Sequence, residues 1–472
     1  MGEGATVERY DVVVIGGGWG GYTAAVRAAQ HGLHVALVER DRLGGTCLHH
    51  GCIPTKVLLQ TADVLALASR AQEFGVRLSP PELDYARVRA RIEEVVGRLY
   101  RGLHALVTSS RVTLISGQAR LRAPGRVAVD GHGEVAAAST VIATGSRPRP
   151  LPGLVFDGHL ILSSDDLLTM ERVPRSIVIV GAGAVGVEFA SCYADFGCQV
   201  TLVEIAPRIL PQEDAEVSAA LAHSLSARGV RILTGATIQP ERVVPGEGGV
   251  RLTAHGPAGE VALAAEAVLV AVGREPVTEG LGLEEVGVRL EHGFVAVDAD
   301  MRTSVPGLYA VGDVTGGLLL AHVAAAEGAL AADRIAGRPA VALDYRRLPR
   351  ATYCRPQVAS LGLTEEEAKA QGYAVVTGRA HLRANGKALI AGEPEGFVKL
   401  IADAHTGDVL GVHIVGAHGT ELIAELALGQ LLDVAVWEIG AAVHPHPTLS
   451  EAIGEAALAA QRRITAATGA KR

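Results

Sequence analysis

The 472-residue chain reads as an α/β fold built around two copies of one nucleotide-binding unit. Two observations carry that reading. A short apolar strand, a glycine-rich turn, a helical stretch, a second apolar strand and an acid follow one another from residue 11, and the same order returns from residue 176. Glycine, at 57 of 472 residues, stands above the usual level of about 7%, while aromatics make up only 4%, as suits many tight turns and close backbone approaches. At roughly 150 residues per domain the length suggests about three or four domains.

In the first copy the strand Asp11-Val-Val-Val-Ile15 runs into Gly16-Gly-Gly18-Trp-Gly-Gly21, a helix over 22–31 follows, and the strand His34-Val-Ala-Leu-Val38 ends in Glu39. Each glycine has its own task. Gly16 makes the tight turn, Gly18 lets a pyrophosphate approach the backbone, and Gly21 permits close helix–strand packing. The phosphate would sit at the helix N-terminus, where free N–H groups and the dipole favour it, and Glu39 would accept from a ribose hydroxyl. In the second copy Ser176-Ile-Val-Ile-Val180 leads into Gly181-Ala-Gly183-Ala-Val-Gly186, a helix over 187–196, the strand Gln199-Val-Thr-Leu-Val203 and Glu204. First glycine and acid are 23 residues apart in both, 16 to 39 and 181 to 204. One such motif arises by chance in a glycine-rich chain; two in the same context predict two Rossmann-like domains and two bound dinucleotides. A carboxylate at Glu204 would repel a 2′-phosphate, so NAD is expected over NADP, with Arg208 the nearby cation that pulls the other way. The plainer alternative for Glu204 is an ordinary strand-end charge.

Five cysteines in a chain whose first residues carry no basic-then-apolar signal predict a cytosolic protein without a disulfide scaffold. Cys192 and Cys198 fall in or just after the second nucleotide helix and read as small core residues, and Cys354 falls in a loop or strand start. Cys47 and Cys52 differ, because Gly44-Gly-Thr-Cys47-Leu-His-His-Gly-Cys52-Ile-Pro-Thr-Lys56 follows directly on the first nucleotide unit. A metal site would have to use Cys47, Cys52, His49 and His50, but adjacent histidines point in different directions and no second close cysteine pair exists. Two inert buried thiols are the other alternative. A redox pair is the favoured reading. Only five of the 43 basic residues are Lys, so a Lys in this chain is more often a specific choice than an Arg is.

That cysteine segment resembles the active-site signature of the class I pyridine nucleotide-disulfide oxidoreductases, and the resemblance covers nearly the whole chain. Ala143-Thr-Gly-Ser146, Val270-Ala-Val-Gly-Arg-Glu-Pro276 and Tyr309-Ala-Val-Gly-Asp313 are similar to the family's further nucleotide signatures. Ala321-His322, Ala-Glu327-Gly328 and His444-Pro-His-Pro-Thr-Leu-Ser-Glu451 resemble the branch that oxidises a dihydrolipoyl group carried by a 2-oxo acid dehydrogenase or glycine cleavage complex. The resemblance implies FAD held by Gly16, Gly18, Gly21, Glu39, Arg40, Gly45, Thr46, Lys56, Ala119, Thr144, Gly145, Ser146, Asp313, Leu320, Ala321 and His322. It implies NAD held by Gly181, Gly183, Gly186, Glu204, Ile238 and Gly273, and no resident metal.

By the same resemblance, electrons flow from a dithiol through Cys47–Cys52 to the flavin and then as hydride to NAD⁺. Cys47 exchanges with the substrate sulfur and Cys52 lies against the flavin as the charge-transfer thiolate. His446 is the base, since an imidazole titrates near operating pH, and Glu451 orients it. Read alone, Thr448-Leu-Ser-Glu451 is a helix-capping box, and Glu451 can serve both ends. His444 reads as structural. Lys56 pairs with Glu188 near flavin N5; a solvated Lys is the alternative, but a lone carboxylate in an apolar helix would be costly. Trp19, His49 and Pro445 stand where the family commonly has Pro, Asn and Ala, and none removes a reacting group.

The implied organisation is an FAD-binding domain over 1–149, an NAD-binding domain over 150–273, a central segment over 274–347 completing the flavin site, and an α+β dimerisation domain over 348–472. An amphipathic helix is expected from 92 through 101 and beyond, then strands through 112–115 and 127–129. In a homodimer the last domain would carry His446 to Cys47 of the partner subunit, with a lipoyl-bearing protein as the second partner. Net charge is −8 and no basic stripe stands out, so nucleic acid is not expected. The longest uncharged run, 12–26, is too short for a membrane helix. Glutathione-type reductases would want cations where Glu204 stands, and mercuric reductase would want a cysteine pair after Cys354. Peroxidase relatives use a single cysteine and a soluble transhydrogenase none of the pair. A flavin-binding redox sensor with little turnover is the alternative from another class.

Overall fold

The valine-rich segments Glu8–Ile15 and Val35–Glu39 pair in parallel and bury almost every side chain after Tyr10, as strands covered on both faces must. The computed structural model describes residues 7–246 and 248–468, and the chain divides into two units. The first unit takes the chain up to Val57, then Ala86–Arg149 and Gly273–Leu343. Its sheet runs in the order Thr113–Ser116, Val35–Glu39, Glu8–Ile15, Gly133–Ile142, Arg126–Val129, Ala119–Ala123, and Leu308–Ala310 joins Gly133–Ile142 in parallel. The helix Trp19–Gln30 packs on Ala321–Ile335 so closely that a Cβ at Gly328 would lie 2.2 Å from the Gly20 carbonyl oxygen. At the far end of that contact Asp333 binds Arg27 at 2.7 Å and His31 at 2.6 Å.

The helix expected from residue 92 spans Tyr85–Ser109. Its longer register overturns one expectation. Arg87, Arg91, Arg98 and Arg101 recur at helical spacing and are all exposed, while Val88 and Val107 are buried on the other side. A basic stripe exists, and scattered in sequence it was invisible. The stretch Gly45–Ser69 has the length and apolarity of a membrane span, but it carries the cysteine pair, Lys56 and Asp63.

The second unit holds Leu58–Tyr85, Pro150–Val272 and the chain from Asp344. A parallel sheet orders Arg231–Thr234, Gln199–Glu204, Ser176–Val180, Ala267–Val270 and Ile161–Leu162, with a small antiparallel sheet beside it in sequence. An antiparallel sheet follows in the order Arg350–Thr352, Val358–Gly362, Val409–Val415, Phe397–Asp403, Val375–His381. The helix Glu451–Thr468 lies on this sheet, and Gly378 is needed there because a Cβ would sit 1.9 Å from the Ala456 carbonyl oxygen. Cys192 and Cys198 are buried, as read, and Cys354 is buried in the loop after the strand Arg350–Thr352.

Lys399, 1% exposed in the middle of its strand, ties that sheet to the first turns of the helices Ala215–Ala227 and Glu365–Ala370. Its ammonium lies 2.9 Å from Asp214, 2.8 Å from Glu216 and 2.7 Å from Glu365. Nearby, His413 is fully buried and donates from Nε2 to the Leu363 carbonyl at 3.0 Å. Burial holds its pKa below the ordinary value. The unfolded chain therefore binds a proton near pH 6.5 that the folded site refuses, and stability must fall as pH drops from there towards the folded pKa. We expect apparent unfolding free energy to lose up to about 1.4 kcal/mol per pH unit from this site. Denaturant titrations at several pH values check it; a His413→Gln chain with an undiminished slope would refute it.

Candidate active site

The two glycine turns are built alike, residue for residue. Gly16 has φ +103° and Gly181 φ +101°, and a Cβ on either would lie 2.4 Å from a carbonyl oxygen, that of Ala143 or Ala271. Gly21 and Gly186 lie under the carbonyls of Gly16 and Gly181, where a Cβ would come within 1.8 Å and 1.9 Å. Gly18 and Gly183 differ from both pairs. Their backbone is ordinary and a Cβ on either would meet nothing within 4 Å. Nothing in the chain's own packing demands glycine there, so the space suits an outside group.

Both helices starting at these glycines lack a side-chain cap and any acid in the first turn, whereas Ser163–Asp166 and Thr364–Glu367 form full capping boxes elsewhere. Uncapped N–H groups at the positive end of a helix beside an open cradle fit a pyrophosphate. Glu39 accepts from the Gly17 amide at 2.6 Å and the Asp41 amide at 2.8 Å. Glu204 does the same with Ala182 at 2.6 Å and Ala206 at 2.8 Å. Each acid braces its own glycine turn, a task distinct from the ribose contact that the sequence predicts.

Further signatures converge on the first turn's unit. Ser146–Pro148 and Arg274–Pro276 form a two-stranded ribbon, and the Thr144 hydroxyl donates to the Val277 carbonyl at 2.7 Å. Ser146 Oγ donates to Asp313 at 2.5 Å and accepts from Arg274 Nε at 2.7 Å. Glu327, 2% exposed, accepts from the Gly312 amide at 2.6 Å and so fixes the turn that presents Asp313. Gly145 has φ +72° with open space where a Cβ would be. Leu320 precedes the helix Ala321–Ile335, whose second residue, His322, is exposed, as is Arg40. Ala119 and Ile238 are buried in their strands, and Gly273 at φ +117° accepts from the Arg149 amide. Sequence reasoning missed Arg274, because its role exists only across the ribbon.

Cys47 sits on the single turn Gly45–His49, and Cys52 opens the helix Cys52–Ser69, where the dipole favours negative charge. The turn leans on the glycine loop: the Gly44 amide donates to the Gly17 carbonyl at 2.8 Å, and a Cβ on Gly45 would lie 3.0 Å from Gly18 Cα. Both thiols are half-buried and not joined in a disulfide, and Cys47 is hydrogen-bonded to Cys52. That bond, then burial, pushes the Cys47 thiol up, and the Lys56 ammonium pulls the other way. The Tyr22 phenol, raised chiefly by burial, also feels Cys47, and its ring lies 5.7 Å from that of Trp19. His49 turns to a bracing role. Its Nε2 donates to the Leu43 carbonyl at 2.8 Å, its ring centre lies 5.8 Å from that of Tyr100 in an edge-on contact, and burial lowers its pKa. Among the described residues no three His, Cys, Asp or Glu side chains are grouped to hold a metal.

In the second unit His446 Nδ1 meets Glu451 Oε1 at 2.8 Å, and Glu451 Oε2 accepts from the Thr448 amide at 2.8 Å. Glu451 thus touches both the His446 ring and the start of the helix it opens. The capping box is half-formed, since the Thr448 hydroxyl donates to the Pro445 carbonyl at 2.7 Å. The Thr448 amide foremost, then His446, holds Glu451 below the ordinary carboxylate range. The His446 side chain is 80% exposed. His444 is mostly covered and bound to Glu425 at 2.9 Å. Glu188, 4% exposed, accepts from the Tyr353 amide at 2.8 Å.

The pyridine nucleotide-disulphide oxidoreductase family matches residues 10–328, and its dimerisation domain matches 348–457. The dihydrolipoyl dehydrogenase of Bacillus subtilis (strain 168) is 45% identical over 96% of this chain and 98% of that protein. That of Zymomonas mobilis is 44% identical over 97% and 99%. The crystal structure of LpdA from Mycobacterium tuberculosis superposes with a TM-score of 0.88 at 30% identity, covering 97% of this chain and all of that one.

Proposed function

Because this chain belongs to the pyridine nucleotide-disulphide oxidoreductase family, we propose that it oxidises protein-bound dihydrolipoamide to lipoamide, the activity of a dihydrolipoyl dehydrogenase. It is an oxidoreductase that uses FAD and NAD and carries the family's dimerisation domain. The observation that carries the dithiol reading is the hydrogen-bonded pair Cys47–Cys52 on the lip of the first glycine turn.

In the oxidised pair, a thiolate of the incoming dithiol attacks Cys47 Sγ; the Cys47–Cys52 bond breaks and Cys52 leaves as thiolate. The second substrate sulfur then attacks the first, closing the cyclic disulfide and releasing Cys47. His446 takes the protons, and Glu451 holds its ring and stabilises the imidazolium. When bound, FAD and NAD⁺ supply the onward two-electron path to NADH. The first unit's residues around Gly16, Glu39, Gly45, Ser146 and Asp313 hold FAD; Gly181, Gly183, Gly186 and Glu204 hold NAD. Lys56 and Glu188 form a pair beside the flavin, and His446 serves Cys47 of the partner subunit. The domains are 1–149 for FAD, 150–273 for NAD, 274–347 completing the flavin site, and 348–472 for dimerisation. The setting is the cytoplasm, and the substrate arrives on a lipoyl-bearing protein of a 2-oxo acid dehydrogenase or glycine cleavage complex.

The test is NADH formation from dihydrolipoamide and NAD⁺ by the purified flavoprotein, with NADP⁺ in parallel. Turnover with NAD⁺, lost at least a thousandfold in Cys47→Ser, is the expected result. A yellow protein that ignores dihydrolipoamide would refute the proposal.

A further inference from the structure

The basic stripe on the helix Tyr85–Ser109 is not absorbed by the chemistry above. Arg87, Arg91, Glu94, Arg98 and Arg101 occupy one exposed face over 15 residues, 87 to 101, which is about 21 Å of helix. Glu94 is engaged by Arg87 at 2.7 and 3.3 Å. Among the described residues Arg91, Arg98 and Arg101 enter no ion pair. These three guanidiniums share one helix face on a chain of net charge −8, whereas Arg27, Arg126, Arg147 and Arg242 each meet an acid. The same helix touches the redox loop. Tyr100 lies 5.8 Å from His49, which stands between the two cysteines in the chain, and 6.1 Å from the exposed His104.

We propose that this face docks an acidic protein module and so brings the dithiol it carries to Cys47. The inference rests on the dihydrolipoyl reading above and adds the recognition surface. Guanidinium forks suit clustered carboxylates, because each can meet one bidentately. The rest of an acidic surface repels such a module, so the stripe steers encounter as well as holding it. A small free dithiol carries no such charge and gains nothing from the stripe.

The experiment compares two substrates in the full-length holoenzyme: free dihydrolipoamide, and an acidic lipoyl-bearing domain reduced to its dihydrolipoyl form. In the Arg91→Glu/Arg98→Glu/Arg101→Glu chain, kcat/KM for the domain is expected to fall at least about tenfold at low ionic strength and to lose its decline with added salt. Free dihydrolipoamide is expected to stay within about twofold. The Arg→Gln set, expected to lose about threefold with the domain, covers a folding failure of the reversed chain. Undiminished turnover of the domain, or an equal loss with both substrates, overturns the docking surface alone. No turnover of free dihydrolipoamide by the unaltered protein overturns the dihydrolipoyl reading itself.

Discussion

Replacing His446 with glutamine is expected to lower kcat with dihydrolipoamide by about 10²–10⁴-fold, the range of a lost acid–base group. The geometry says why the loss should be large. Glu451 holds Nδ1 at 2.8 Å, which fixes the tautomer with its proton on Nδ1 and leaves Nε2 as the free base on an exposed ring. The carboxylate is itself held by the Thr448 amide, so the ring is oriented before substrate arrives. Because Glu451 lies below the ordinary carboxylate range, it stays ionised and keeps its hold on the ring. Reduction of a dye by NADH, which needs no proton from a dithiol, should be nearly unchanged. A loss below tenfold would remove His446 from the reaction.

Replacing Lys399 with methionine is expected to destabilise the second unit by about 3–5 kcal/mol, because removing one partner of a buried ion network strands the others. Burial opposes the ammonium, yet bonds to Glu216, Glu365 and Asp214 win and raise its pKa. Glu216 is held down to about 2, chiefly by Arg379 and then against its own burial by Lys399. The network is thus ionised across neutral pH. Methionine would leave Asp214, 2% exposed, facing Glu216 and Glu365 without a cation at the centre. Chemical denaturation followed by far-ultraviolet circular dichroism reads the effect, and a loss under 1 kcal/mol would mean the network contributes little.

What could be read without coordinates follows the range of each constraint. The two glycine turns were legible because their demands are local: a positive φ, a carbonyl under a missing Cβ, and an acid at a fixed offset. The cysteine pair was legible from its spacing, whereas His446–Glu451, five residues apart, was reached through the family resemblance. Arg274, Ser146 and Asp313 were not legible as a unit, since 128 and 167 residues separate the bonded pairs. Lys399 and Asp214 lie 185 residues apart, but a hint was present. In a chain with five Lys, one in the apolar run Phe397-Val-Lys-Leu-Ile401 marks a buried cation. The basic stripe was hidden because the helix was read as starting at 92, which left Arg87 and Arg91 off its face.

The carboxylates Glu39 and Glu204 bear on how freely such an enzyme can change its coenzyme. A switch towards a 2′-phosphate begins by removing the negative charge at Glu204. That side chain already accepts from Ala182 within the glycine turn and from Ala206 beyond the strand. Any replacement that welcomes the phosphate must also restore two backbone hydrogen bonds, or the phosphate cradle loses its shape. Coenzyme preference is in this way mortised into the loop, and a single substitution at Glu204 changes the architecture before it changes the preference.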